Sequence, residues 1–132
     1  MSTDQNSAEG GLPGHLGMIV SDRGERWLEM AMPIRPEHLR PGIPGLHAGA
    51  IITLADTACG YACMDALPDN ARSFITVELK SNLLGTASEG TLICRAEPEH
   101  VGRTTHVWSA EVRHRETDKK IAVFSCTQLV IY

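Results

Sequence analysis

The chain is poor in aromatic residues, with two each of Phe, Trp and Tyr among 132, and it has no positive excess, since 12 Lys and Arg stand against 16 Asp and Glu. The net charge of −4 argues against a nucleic-acid partner, because phosphates are bound by a basic surplus. So few rings also argue against a stacking platform for single strands. The opening MSTDQNSAEGGLPG has neither the basic nor the apolar region of a secretory signal, and no apolar run is long and uninterrupted enough to suggest a membrane span. Cys59, Cys63, Cys94 and Cys126 lack the close pairs of structural zinc sites. Cys59 and Cys63 share a helix face, but as small buried hydrophobes rather than as a metal pair. Reduced thiols in a cytoplasmic protein without a metal are the expectation. There is no G-x-S-x-G elbow, P-loop, H-E-x-x-H or dinucleotide fingerprint.

What is present fits one domain. Residues 1–14 are polar and Gly-rich and are expected to form a flexible tail, leaving 15–132 as the domain. HLGMIVSD and ERWLEMAMPI read as a hairpin turning at Asp22-Arg23-Gly24, with Leu28, Met30, Met32 and Ile34 alternating onto one face. RPEHLRPGIPGL is rich in Pro and Gly and reads as a connector, with at most one helical turn around Glu37 to Arg40. A long helix follows and is stopped by Ala66-Leu67-Pro68-Asp69-Asn70. Beyond it lie only strand patterns: SFITVELKSNLL, GTLICRAEPEH, TTHVWSAEVRHR and KKIAVFSCTQLVIY. Gly85 to Gly90, Val101-Gly102-Arg103 and Glu116-Thr117-Asp118 read as hairpin-like links between them. The order β-β-α-β-β-β-β predicts an α+β domain, a sheet of about six antiparallel strands curled around one helix. One helix cannot cover both the sheet face and its edges, so self-association is expected.

The helix itself, AGAIITLADTACGYACM from Ala48 to Met64, carries a single formal charge, Asp56. Ile51, Leu54, Ala58, Tyr61 and Ala62 recur on one face, and Thr53, Asp56, Thr57 and Gly60 occupy the other. An ionised carboxylate in such surroundings costs several kcal/mol unless it is paired, hydrogen-bonded or used. An apolar setting also raises a carboxyl pKa, which is how a general base becomes poised. The alternative is a structural hydrogen bond between subunits. His47 precedes a helix start of Ala48-Gly49-Ala50, whose unpaired N–H groups and positive dipole end suit an oxyanion. His47 reads equally as a turn or N-cap residue that ties the loop to the helix. Asp56 is not expected to reach its own helix start, but two helices antiparallel across a two-fold would bring one subunit's acid to the other's N-terminus. The remaining histidines, His15, His38, His100, His106 and His114, show no ligand spacing and read as surface or strand residues.

GLHAGAIITLADTACGYA resembles the signature helix of the hotdog-fold acyl-CoA thioesterases of the phenylacetyl-CoA thioesterase type, in which a His-Gly-Gly precedes an acid on the helix at the spacing of His47 to Asp56. HVGRTTHVWSAEV is similar to that family's Gly-Arg strand start. The resemblance implies hydrolysis of an aryl or medium-sized acyl-CoA, with coenzyme A as part of the substrate and no other cofactor. It implies Asp56 as general base or nucleophile, the N–H of Ala48 polarising the carbonyl, and His47 with Gly49 completing the helix start. Gly60 would line the substrate, and Arg103, Thr104 and Thr105 would lie by the CoA arm, where a cation and hydroxyls suit phosphate and pantetheine; Arg103 reads equally as a solvated turn residue. Three positions depart from the pattern: Ala48 replaces the first Gly, Arg40-Pro41-Gly42 stands where relatives carry Asn or Gln, and Gly60 stands where several carry Ser or Thr. The implied assembly is a homodimer or a homotetramer built as a dimer of dimers. A non-catalytic acyl-CoA-binding module, or a hydratase or dehydratase on the same fold, are the alternatives.

Overall fold

Alternating burial organises the strands of the computed structural model, which describes residues 10–132. A short helix α1 (Gly11–His15) leads into the hairpin β1 (Ile19–Gly24) and β2 (Trp27–Pro33). A 3-10 turn at Pro36–His38 precedes the long helix α2 (Ala48–Asp65), and β3 (Ser73–Leu83), β4 (Thr91–Val101), β5 (Thr105–His114) and β6 (Lys120–Ile131) follow. Along β5 every second side chain, from His106 through Trp108, Ala110 and Val112 to His114, is buried, the period of a strand with one covered face. Residues 1–9 of the expected tail lie outside the described residues, and from Gly11 the chain is helical.

The six strands form one antiparallel sheet in the order β1-β2-β4-β5-β6-β3, and α2 packs across its concave face. Leu28, Met30, Met32, Leu92, Cys94, Trp108, Val112, Phe124 and Cys126 meet Ile51, Leu54, Ala58, Cys59, Ala62 and Cys63 in a continuous core. Each fully buried large side chain there contributes about 1.5–3 kcal/mol. Among the described residues no helix is long and apolar enough to cross a membrane.

The sheet order corrects one expectation. The link across Gly85 to Gly90 is not a hairpin, because β3 pairs with β6 and β4 pairs with β2. Helix α2 carries the chain to the far side of the sheet, β3 is laid down on that edge, and residues 84–90 must carry the chain back. The return is anchored against the loop before α2, since Leu46 N–H donates to Thr86 Oγ1 at 2.8 Å and Gly45 N–H to Ser88 Oγ at 3.1 Å.

The β1–β2 turn also shifts. Gly24 pairs with Trp27, leaving Glu25-Arg26 as the two-residue turn, with Arg26 at φ 61°. Gly24 lies under the indole: a Cβ there would sit 2.1 Å from Trp27 Nε1, so the glycine is required by close approach to a ring and the left-handed residue falls two positions later. His38 is neither a surface nor a strand residue. It is buried in the connector, where Nδ1 accepts from Arg35 N–H at 3.0 Å and Nε2 donates to Leu16 C=O at 2.9 Å. His106 and His114 are strand residues but buried ones.

Candidate active site

The start of α2 is held from behind. His38 C=O accepts from His47 N–H at 2.8 Å and Leu39 bridges Leu46, so the buried connector fixes the direction in which the helix begins. His47 is the N-cap, and its Nδ1 accepts from Gly49 N–H at 2.8 Å. An accepting Nδ1 places the neutral ring's proton on Nε2, on an exposed side chain. Of the two N–H groups that the sequence marks at the helix start, Gly49's is therefore taken. Ala48's has no partner among the described residues and stands on an exposed residue at the positive end of the macrodipole.

Asp56 lies eight positions further along α2, about 12 Å from Ala48 by helical rise. Its residue is half-buried, its Oδ1 is fully buried and has no hydrogen-bond partner, and burial raises its carboxyl above the ordinary value of 3.8. It opens on a cleft of about 320 Å³ lined by Pro13, Thr57, Gly60, Tyr61, Met64, Ser73, Phe74 and Thr76. The walls are thus largely apolar and partly aromatic, with hydroxyls from Thr57, Ser73 and Thr76. Gly60 is closed in by Phe74, whose Cζ would lie 3.1 Å from a Cβ at that position. Tyr61, read from the sequence as core-facing, packs against the core and also lines this cleft.

The site residues marked in the sequence fall into three places on one chain. His47, Ala48 and Gly49 cluster at the helix start, and Asp56 and Gly60 share the cleft. Arg103, Thr104 and Thr105 sit at the β4–β5 turn, where Arg103 lines a separate hollow with Pro68, Asp69, Asn70 and Tyr132. That turn is fastened by Tyr132 Oη donating to Arg103 C=O at 2.5 Å and by Gly102 N–H donating to Thr105 C=O at 2.9 Å. Pro13, Phe74 and Thr76 were missed as lining residues. Alternation alone could have marked Phe74 and Thr76 as facing the helix, whereas nothing in the sequence indicates that α1 returns to α2.

A larger hollow of about 590 Å³ lies on the sheet's outer face, and two of its arginines are already engaged. Arg95 bonds Glu97 at 3.3 Å and stacks on Trp27, and Arg113 bonds Glu111 at 2.9 Å. The four cysteines are free and buried, and burial pushes the Cys63 thiol up to about 12, so that side chain stays a neutral thiol near pH 7. No cluster of His, Cys, Asp and Glu among the described residues is arranged to hold a metal ion.

Comparison with known proteins gives the family and the fold. The family model for the Thioesterase superfamily matches residues 45–121. The candidate esterase ComA2 of Bacillus subtilis is 32% identical over 113 residues, covering 86% of this chain and 87% of its own. The 1,4-dihydroxy-2-naphthoyl-CoA hydrolase of Escherichia coli K12 is 29% identical over 108 residues, covering 79% and 75%. The crystal structure of a thioesterase from Haemophilus influenzae superposes with a TM-score of 0.86 at 29% identity, covering 94% of this chain and 85% of that one.

Proposed function

The chain belongs to the thioesterase superfamily and is a hotdog-fold thioester hydrolase, and from that premise we propose that it hydrolyses an aryl or medium-sized acyl-CoA to the free acid and CoA, with Asp56 activating water or attacking directly. The observation that carries this reading is the Asp56 carboxylate, which is partly desolvated, has one oxygen without a partner and opens into a cleft walled by Tyr61, Met64 and Phe74. A thioester is already activated and its thiolate leaves readily, so one carboxylate and one oxyanion donor suffice. Ala48 N–H is that donor, with His47 holding the helix start and Gly60 lining the acyl cleft against Phe74. No cofactor is required, since CoA enters as part of the substrate, and Arg103, Thr104 and Thr105 receive its polar arm. No second carboxylate or histidine lines Asp56's cleft among the described residues, which favours hydrolysis over a hydratase needing an acid and base pair.

The 12 Å between donor and acid on one helix exceeds the hydrogen-bond reach that both must have to one carbonyl. A homodimer removes the difficulty. Strand β3 is an edge strand with Ile75, Val77, Leu79 and Leu83 exposed, a surface that invites pairing. Two β3 edges joined antiparallel about a two-fold set the helices antiparallel, one Asp56 facing the other chain's Ala48. Further association of such dimers makes the tetramer, and free thiols fit the reducing cytoplasm.

Thiol release over a panel of aryl, medium and long acyl-CoA thioesters tests the reading. Turnover of the first two classes, lost in Asp56→Asn while binding persists, is the expected result. Tight binding without turnover by the unaltered protein would show an acyl-CoA-binding module instead. Label from heavy-oxygen water entering Asp56 in a single turnover would identify direct attack, and its absence general-base catalysis.

A further inference from the structure

We propose that His38 is a positioning residue for the hydrolysis, a buried imidazole that holds the oxyanion donor at the start of α2 with one edge and the α1 wall of the acyl cleft with the other. The inference rests on the reading of Ala48 N–H as that donor and of the Asp56 cleft as the acyl site. His38 is 1% exposed and lines no part of the cleft, yet both ring nitrogens are committed. Nδ1 accepts from Arg35 N–H at 3.0 Å and Nε2–H donates to Leu16 C=O at 2.9 Å, which fixes one neutral tautomer. An apolar side chain would fill the place without needing two bonds, and would hold neither partner.

The Nδ1 edge shapes the connector. His38 N–H bonds back to Arg35 C=O at 3.0 Å while Arg35 N–H bonds the ring, so the turn is closed from both sides. It delivers His38 C=O to His47 N–H at 2.8 Å, and the Ala48 N–H lies one peptide further along. An oxyanion donor acts only when aimed at the point where charge develops, and a small misplacement is costly. The Nε2 edge acts on α1. None of the five residues of that helix is buried, so neither length nor packing holds it in place. Its exit is clasped instead: Leu16 C=O is taken by His38, and Gly17 lies under the Arg35 guanidinium, where a Cβ would fall 2.2 Å from Nη2. Met18 N–H donates to Pro13 C=O at 3.0 Å, which ties Pro13 to this exit. Pro13 in turn walls the Asp56 cleft together with Tyr61, Met64 and Phe74. A wall fastened in this way limits the length of acyl group that the cleft accepts.

Two variants separate the edges, because Asn reproduces an acceptor at the Nδ1 position and Gln a donor at the Nε2 position. Steady-state thiol release by the full chain, over acyl-CoA thioesters of graded length, is the measurement. His38→Asn frees α1: KM for the preferred thioester should rise about three- to tenfold with kcat changed less than about twofold, and the ratio of kcat/KM for long over medium acyl groups should rise at least about threefold. His38→Gln frees the connector: kcat should fall roughly tenfold at every acyl length, with the length profile unchanged. A histidine that only supports the fold would lower Tm in both variants without separating kcat from the length profile. Identical kinetics in the two variants, whether unaltered or reduced alike, therefore overturn the assignment, as does a length profile changed by Gln and not by Asn. With Asp56→Asn inactive, either result leaves the proposed function standing. Asp56→Asn at full rate overturns both by removing the premise.

Discussion

Replacing Asp56 by Asn should move activity and stability in opposite directions, and both effects should depend on pH over one window. The carboxyl is half-buried and its Oδ1 has no partner, so desolvation raises its pKa above 3.8. The folded chain then holds the proton more tightly than the unfolded chain. Below 3.8 both states are protonated and the residue is neutral in the balance; as pH rises from there through the folded value, ionisation costs the native state, and stability falls. Activity follows the opposite course, because only the ionised carboxylate can accept a proton, so kcat/KM should rise through the same window. The asparagine has no charge to desolvate, and the difference between the two proteins isolates this one group from every other carboxylate. Taking the low end of the cost of burying an unpaired polar group, since solvent still reaches part of the side chain, Asp56→Asn should gain about 1 kcal/mol at pH 7. In a domain of this size that is a rise of roughly 3–5 °C in Tm. Losing a general base should cost about 10²- to 10⁴-fold in rate. Thermal unfolding and thiol release, each run from pH 4 to 8 on both proteins, provide the measurement. A Tm lowered in the mutant at every pH would refute the reasoning, because it would mean that the ionised carboxylate is stabilised by bonds that an asparagine cannot make.

Three further outcomes follow from particular contacts. His47→Ala removes the acceptor for Gly49 N–H at 2.8 Å and should cost about 1 kcal/mol, read as a lowered urea midpoint. Gly24→Ala drives a methyl into the Trp27 ring, with 2.1 Å to Nε1, and should cost roughly 1–3 kcal/mol; Tm and a changed indole emission, from a ring moved off its 4.0 Å stacking with Arg95, report it. Val77→Lys places a charge on the β3 edge, where Val77 is 57% exposed. It should leave the fold within about 0.5 kcal/mol while sedimentation shows a monomer and thiol release is lost.

The elements were legible where a period exists and the connections were not. The three-to-four residue spacing of Ile51, Leu54, Ala58 and Ala62 and the alternation of Leu28, Met30 and Met32 are direct consequences of which side chains must leave water, and α2 starts where the sequence placed it. Pairing partners carry no such mark. Gly85 to Gly90 has the composition of a hairpin, yet β3 lies beside β6, because the passage of α2 across the sheet decides where the next strand can land. Gly24 was misread for a related reason: a glycine demanded by a neighbouring ring looks in sequence like one demanded by a turn. At the site, Asp56 was conspicuous as a charge among small apolar residues. That His47 takes up the Gly49 N–H and leaves Ala48 as the free donor was not, since the choice depends on the orientation of the His47 ring.

Two features that weaken the isolated chain acquire a use together. The β3 edge exposes Ile75, Val77, Leu79 and Leu83 beside unpaired backbone groups, and Asp56 keeps an oxygen away from water without a bond. Each costs stability, and a sequence selected for one folded chain alone would replace a β3 valine by a charge and the aspartate by alanine. In the proposed dimer, pairing of two β3 edges would satisfy the first, by covering these apolar side chains and completing the backbone ladder. The same pairing would close the cleft around the second and exclude more solvent from it, which would strengthen the carboxylate as a base toward a water held there. Desolvation that is a cost in the single chain would thereby be turned toward the chemistry, with the Ala48 N–H of the second chain in the proposed dimer supplying the complementary charge. Loss of pairing in Val77→Lys should accordingly remove catalysis with the Asp56 carboxylate still in place in a folded chain, and a monomer that turned over at full rate would show that both halves of the site come from one helix after all.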